Sequence, residues 1–180
     1  LQMPEAPVWL TVYEWSNAAS QQVILPWTPM TDAATLDRFA ASLAAAPGTA
    51  MPPGTGVGSA IAFGLGLLGA RGDCWTLTID LAGDGRSNSG PPPATVEALV
   101  AGRQVTVNVL AIGLPEGRGA APGIAELSAY FRAEVIRGPG AFVEVALGYG
   151  DFAQAMRRKL LKEMEGITVG DGGAGPPMGG

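Results

Sequence analysis

Two stretches carry side chains that could do chemistry. The first is Ile79–Asn88, IDLAGDGRSN, where an apolar run (Trp75, Leu77, Ile79, Leu81) feeds a glycine elbow holding Asp80 and Asp84. A carboxylate at the end of a buried strand is costly to desolvate unless it is paired or faces an ion. The second is Gly54–Ser59, GTGVGS, just ahead of an apolar helical pattern. Thr55 would offer a hydroxyl there, and Asp84 a carboxylate, to a hard cation that takes oxygen ligands. The same two residues have a plainer use, Thr55 as a helix cap and Asp84 as a turn former. The local pattern leaves both uses open.

Other chemistries are excluded by composition. The 180 residues contain no histidine, so Ser-His-Asp, Cys-His and His-metal sites are ruled out. The lone cysteine, Cys74, opens an apolar stretch and is expected to be a small buried residue. A formal charge of −5 argues against a nucleic-acid surface. The one basic cluster, Arg157, Arg158, Lys159 and Lys162, falls near the end of an expected helix and reads as a solvated face. No run approaches the roughly 20 apolar residues of a membrane span. GTGVGS lacks the lysine and final GKS or GKT of a phosphate loop. Gly64–Gly69, GLGLLG, fits G-x-G-x-x-G literally, but no strand leads into it, so close helix–sheet packing is expected of its glycines.

The elements that must position these residues can be read along the chain. At 47% hydrophobic and 15% charged, it has the balance of one globular domain. Val8–Ser16 and Gln21–Thr28 read as two strands joined by a turn at Asn17–Ser20, with Pro26 placing the second at a sheet edge. Thr31–Ala46 reads as a helix with Leu36, Phe39 and Leu43 on one face and Thr31 or Asp32 as cap. A second helix follows Thr55, with Val57, Ile61, Leu65 and Leu68 on one side. Then strands at 74–83, 104–112 and 140–147 alternate with helices at about 93–102, 123–135 and 151–165. Such alternation implies a mostly parallel sheet covered on both faces, in which ligands bind beyond the carboxyl ends of the strands. The expected fold is therefore α/β: a three-layer, Rossmann-like, doubly wound sheet with an antiparallel edge hairpin over residues 1–165. A flexible Gly/Pro-rich tail follows at 166–180.

Two resemblances bear on the elbow. GDGRSN is similar to the GDGxND loop of haloacid-dehalogenase-like phosphatases, whose acids hold Mg²⁺. Here Ser87 and Asn88 replace the second acid, and no D-x-D nucleophile motif occurs, so a Mg²⁺-dependent phosphatase stands as the rival reading. Taken in order, VYEWSNAASQQVILPWT, GTGVGSAIAFG, IDLAGDGRSNSGPPP, VTVNVLAIG, YFRAEVIRGPGAFVEVA and DFAQAMRRKLLKEM resemble a von Willebrand factor type A domain. More narrowly they resemble a bacterial branch catalogued as a domain of unknown function, number 1194.

That resemblance implies a protein-interaction module, not an enzyme. Its adhesion site would hold Mg²⁺ or Mn²⁺ and take an acidic side chain from a protein or peptide partner. Thr55 and Asp84 match the threonine and the later aspartate of that site. No D-x-S-x-S loop is present to supply the rest, and Asp80 has no counterpart. The loop belongs to a central first strand that would precede Val8. Its lack implies either a longer natural chain or direct contact of strands 8–16 and 74–83, and a chain opening at Leu1 is read as processed or truncated. Two oxygen ligands for an ion that takes about six imply weak metal binding or none. A fragment with no active site is the third reading. Relatives suggest export, but no leader segment here supports a compartment.

Overall fold

The computed structural model describes residues 7–96, 105–114 and 123–170. Strands β1 (Val8–Trp15) and β2 (Gln21–Met30) form an antiparallel hairpin. They are followed by helices α1 (Ala33–Ala45) and α2 (Val57–Leu68). Strands β3 (Leu77–Gly83), β4 (Val105–Gly113) and β5 (Val143–Leu147) form a parallel sheet in the order β3-β4-β5. Helix α3 (Ile124–Glu134) separates β4 from β5, and α4 (Phe152–Gly170) follows β5. The fold is mixed α/β, a Rossmann-like parallel sheet flanked by helices, with a separate hairpin. No helix among the described residues is long and apolar enough to cross a membrane.

The sheet explains its own sequence. β4, VTVNVLAIG, is buried at almost every position because it lies in the middle with a layer on each face. β3 alternates: Ile79 and Leu81 are buried, whereas Thr78 and Asp80 are exposed. The larger core cluster joins Ile61, Leu65 and Leu68 of α2 to Ile79, Leu81, Val107 and Val109 of the sheet and to Leu127 and Phe131 of α3. The smaller lies on the opposite face, where Ala155 of α4 meets Leu110, Ile112 and Ala146. Gly64, inside GLGLLG, faces the Tyr13 hydroxyl and Ile79, the close approach expected of these glycines, whereas Gly66 has nothing within 4 Å of an added Cβ and does not share it.

In the hairpin, Val12 pairs with Leu25 and Leu10 with Thr28, so Thr11 faces the Pro26–Trp27 step at a bulge. Pro26 is tolerated because its missing N–H falls there, on a strand paired along one side only. Asp32 is the cap of α1, accepting a bond from the Thr35 amide at 2.6 Å. β1 and β3 do not form the ladder that was one of the two expected outcomes: β1 pairs with β2 and β3 with β4. Side chains tie β1 to α2 and β3 instead. Tyr13 donates to the Ala60 carbonyl at 2.9 Å, and the Trp15 ring lies beside Gly83. At the other end of β1, Trp9 stacks 3.8 Å from the Arg71 guanidinium.

Several boundaries differ from the sequence reading, among them β2, which runs on to Met30, and β5, which starts at Val143 and not residue 140. β3 starts at Leu77, not residue 74, because Arg71 and Asp73 pair at 2.6 Å in a turn closed by the Cys74 amide on the Arg71 carbonyl. Cys74 is consequently half-exposed and Trp75 is 90% exposed. Of the helix expected at 93–102, a 3-10 turn at Pro93–Val96 is described, and 97–104 lie outside the described residues. Helix α4 continues to Gly170, and the rest of the expected tail lies outside them too.

Candidate functional site

Three loops meet beyond the carboxyl ends of β1 and β3. Ser16 closes the hairpin turn, and its carbonyl accepts the Gly56 amide at 2.6 Å. The Ala18 amide donates to the Ser89 hydroxyl at 3.0 Å. Asn88 clasps Thr55 from both sides: its side-chain oxygen takes the Thr55 amide at 2.8 Å, and its own amide donates to the Thr55 carbonyl at 2.9 Å. Ser87 adds a hydroxyl bond to that carbonyl at 3.3 Å, and its amide donates to the Tyr130 hydroxyl of α3 at 3.1 Å. The approach is tight enough to require glycine. A Cβ on Gly56 would sit 2.7 Å from the Asn17 carbonyl carbon, closer than real side chains come.

This arrangement decides one of the open questions about Thr55. Helix α2 has Gly56 as its cap, with no side-chain cap bond, so Thr55 is not the cap. Its backbone is held by the Asn88 loop and its hydroxyl lies near Gly85, where an added Cβ would be 3.5 Å away. Asp84 is the first residue after β3 and is exposed. Thr55 and Asp84 therefore share one rim. The sequence reading missed Tyr149, 65 residues downstream, whose hydroxyl donates to Asp84 Oδ2 at 2.7 Å. That bond, with a smaller contribution from burial, holds the Tyr149 proton and raises its pKa.

Asp80, which had no assigned role, turns the other way. Lys159 reaches from α4 to both Asp80 and Glu163, and is completely buried. This corrects the solvated reading of the basic cluster: α4 carries Lys159 on its inner face, Arg158 pairs with Glu144 and Asp151, and Lys162 lies 4.0 Å from the Phe142 ring. Asn108 of β4 completes the group, donating to Glu163 at 3.1 Å and accepting from the Phe142 amide at 3.1 Å.

Two carboxylates share one ammonium, and the surplus falls on Glu163. Burial first, and then the Asp80 charge, push its carboxyl up from 4.5 to about 7, against the opposing pull of Lys159. The folded protein thus holds a proton that the unfolded chain releases. The stabilisation that proton brings is complete below pH 4.5 and is lost as the pH rises through about 7. Glu163→Gln keeps the shape and has no proton to lose. Urea unfolding across this window should show the wild type losing about 1–2 kcal/mol relative to the Gln variant, solvent at the partly buried carboxyl screening the rest of the shift. Parallel pH dependences for the two proteins would mean that Glu163 ionises like a surface glutamate.

A model of a protein family of unknown function, DUF1194, matches residues 1–168. The chain belongs to that family. No curated protein and no solved structure matches it. Whether this DUF1194 chain suits a resident divalent ion can be judged from its donors. The rim offers the Thr55 hydroxyl and the Asp84 carboxylate, one oxygen of which already accepts from Tyr149. Among the described residues no group of three or more His, Cys, Asp or Glu could hold a metal. A small hard cation takes about six oxygens. The described donors of this DUF1194 chain do not fit one.

Beside the rim runs an open groove of about 270 Å³ between the Arg86–Gly90 loop, Pro92–Pro93 and Tyr130. Substrate pockets usually enclose about 300–1,000 Å³. The Asp84 carboxylate is exposed on the braced rim near this open groove.

Proposed function

We propose that this DUF1194 chain is a protein-interaction module whose binding surface is the rim at the carboxyl ends of the strands, of the adhesion type seen in von Willebrand A domains. The observation that supports the reading most directly is the exposed Asp84, set on loops that Asn88 and Thr55 lock together. Rigid scaffolds that hold exposed loop residues in place are the usual platform for recognition. The ordered sequence motifs support the adhesion-type relationship. Metal-mediated capture of an acidic partner, as in intact adhesion sites, is weak or lacking in this chain because two oxygens do not complete a coordination shell.

Calorimetric titration of the chain with Mg²⁺ and Mn²⁺ tests the metal part, and assay on a generic phosphate ester tests the rival. The expected result is binding no tighter than millimolar and no turnover. Submicromolar binding lost in both Thr55→Ala and Asp84→Ala would establish a complete metal site. Phosphatase turnover lost in Asp84→Asn would replace the module with an enzyme.

A further inference from the structure

We infer that the patch formed by Asp84, Leu114, Leu147 and Tyr149 receives a polypeptide segment presenting a lysine or arginine next to an aliphatic residue. The inference rests on the rim being the interaction surface, and names the partner's chemistry.

The charges around the rim are unevenly matched. Arg86 is paired with Glu126, and Asp151 with Arg158. Asp84 has no cation partner among the described residues; its partner is the neutral Tyr149 hydroxyl. That bond engages Oδ2 and orients the carboxylate, leaving Oδ1 for a charge-assisted bond from a guanidinium or ammonium group. Tyr149 itself is 71% exposed, so its ring stands open beside the carboxylate as a platform for the same cation.

The surroundings are apolar. Leu147 is 55% and Leu114 50% exposed, at the carboxyl ends of β5 and β4. They meet around Gly148, whose amide donates to the Gly113 carbonyl at 2.9 Å, and a Cβ there would touch Leu114 at 3.4 Å. Exposed leucines and a tyrosine grouped about a carboxylate with no cation partner among the described residues match the stem and head of a basic side chain with an apolar neighbour. An acidic partner would meet a like charge at Asp84, with no competent metal to reverse it.

A displayed library of random heptapeptides, selected on the full chain in EDTA and in parallel in Mg²⁺, tests this. Peptides enriched in EDTA should carry lysine or arginine beside Leu, Ile, Val or Met. A peptide so selected should bind Asp84→Asn at least tenfold more weakly and Tyr149→Ala several-fold more weakly. Thermal melts of both exposed-site variants should match wild type. Enrichment of acidic peptides that need Mg²⁺ and Asp84 would overturn the inference while leaving the module reading in place. Binding indifferent to Asp84 and Tyr149, or no enrichment in either buffer, would overturn both.

Discussion

Lys159→Met is expected to destabilise the chain by about 3–5 kcal/mol at pH 8, the range for stripping one partner from a buried ion pair. Methionine fills nearly the same volume, so the loss is electrostatic and not a cavity. The ammonium is completely buried and, among the described residues, is the one cation bonded to both Asp80 and Glu163. Without it two carboxylates face each other, the Glu163 side chain only 16% exposed. Two neighbouring carboxylates repel when both are charged. The deficit should therefore shrink as the pH falls toward 5, where protonation relieves the repulsion. Urea unfolding at pH 8 and pH 5 measures this directly. An equal deficit at both would mean that Lys159 acts through packing, and a deficit below 1 kcal/mol that the triad carries no net stabilisation.

Gly58→Ala is the second large effect, and it sets two rules against each other. Helix propensity alone favours alanine by about 1 kcal/mol. Gly58, however, is buried in the first turn of α2, and an added Cβ would run into the Pro91 carbonyl oxygen, with the Pro92 carbonyl carbon at 3.3 Å. Both obstacles are backbone, so no rotamer change relieves them. Overpacking of this kind costs typically 1–3 kcal/mol and sometimes more, and after the propensity gain we expect a net loss of about 2 kcal/mol. Displacing the Pro91–Pro92 segment would also pull Asn88 from Thr55, visible as amide shifts at both residues. Gly66→Ala is the control: it lies in the same helix with nothing within 4 Å of the added carbon. It should be neutral or stabilising. If Gly58→Ala behaves the same way, the loop is not packed on α2 as described.

The sequence was most legible where a local pattern had a single use. VTVNVLAIG reads only as a strand covered on both faces, and the Thr31–Asp32 step ahead of an apolar helix marks its start, with Asp32 the one of the two that caps it. Patterns with two uses misled. Cys74 and Trp75 extend the apolar run of β3, but the Arg71–Asp73 pair bends the chain before the ladder begins. Lys159 sits among other cations in a plausible solvent-facing cluster, and only the register of α4 against the sheet turns it inward. Thr55 and Asp84 stand out in the sequence because they lie in glycine-rich loops, and the structure brings those loops to one rim. Tyr149 escaped because its only signal is a contact spanning 65 residues, and no local spacing encodes that.

The failure of β1 to pair with β3 has a consequence for how the molecule breathes. A continuous ladder makes neighbouring strands open together, because freeing one strand exposes the backbone of the next. Here that mechanical linkage stops at the β1–β3 boundary, leaving the hairpin tied to the rest by side chains, Tyr13, Trp9, Trp15 and Trp27 among them, and by the loop around Thr55. The hairpin can therefore act as its own cooperative unit, opening at lower free energy than β4. Since its turn forms one wall of the rim, each such opening would also dismantle the binding surface while the parallel sheet stays intact.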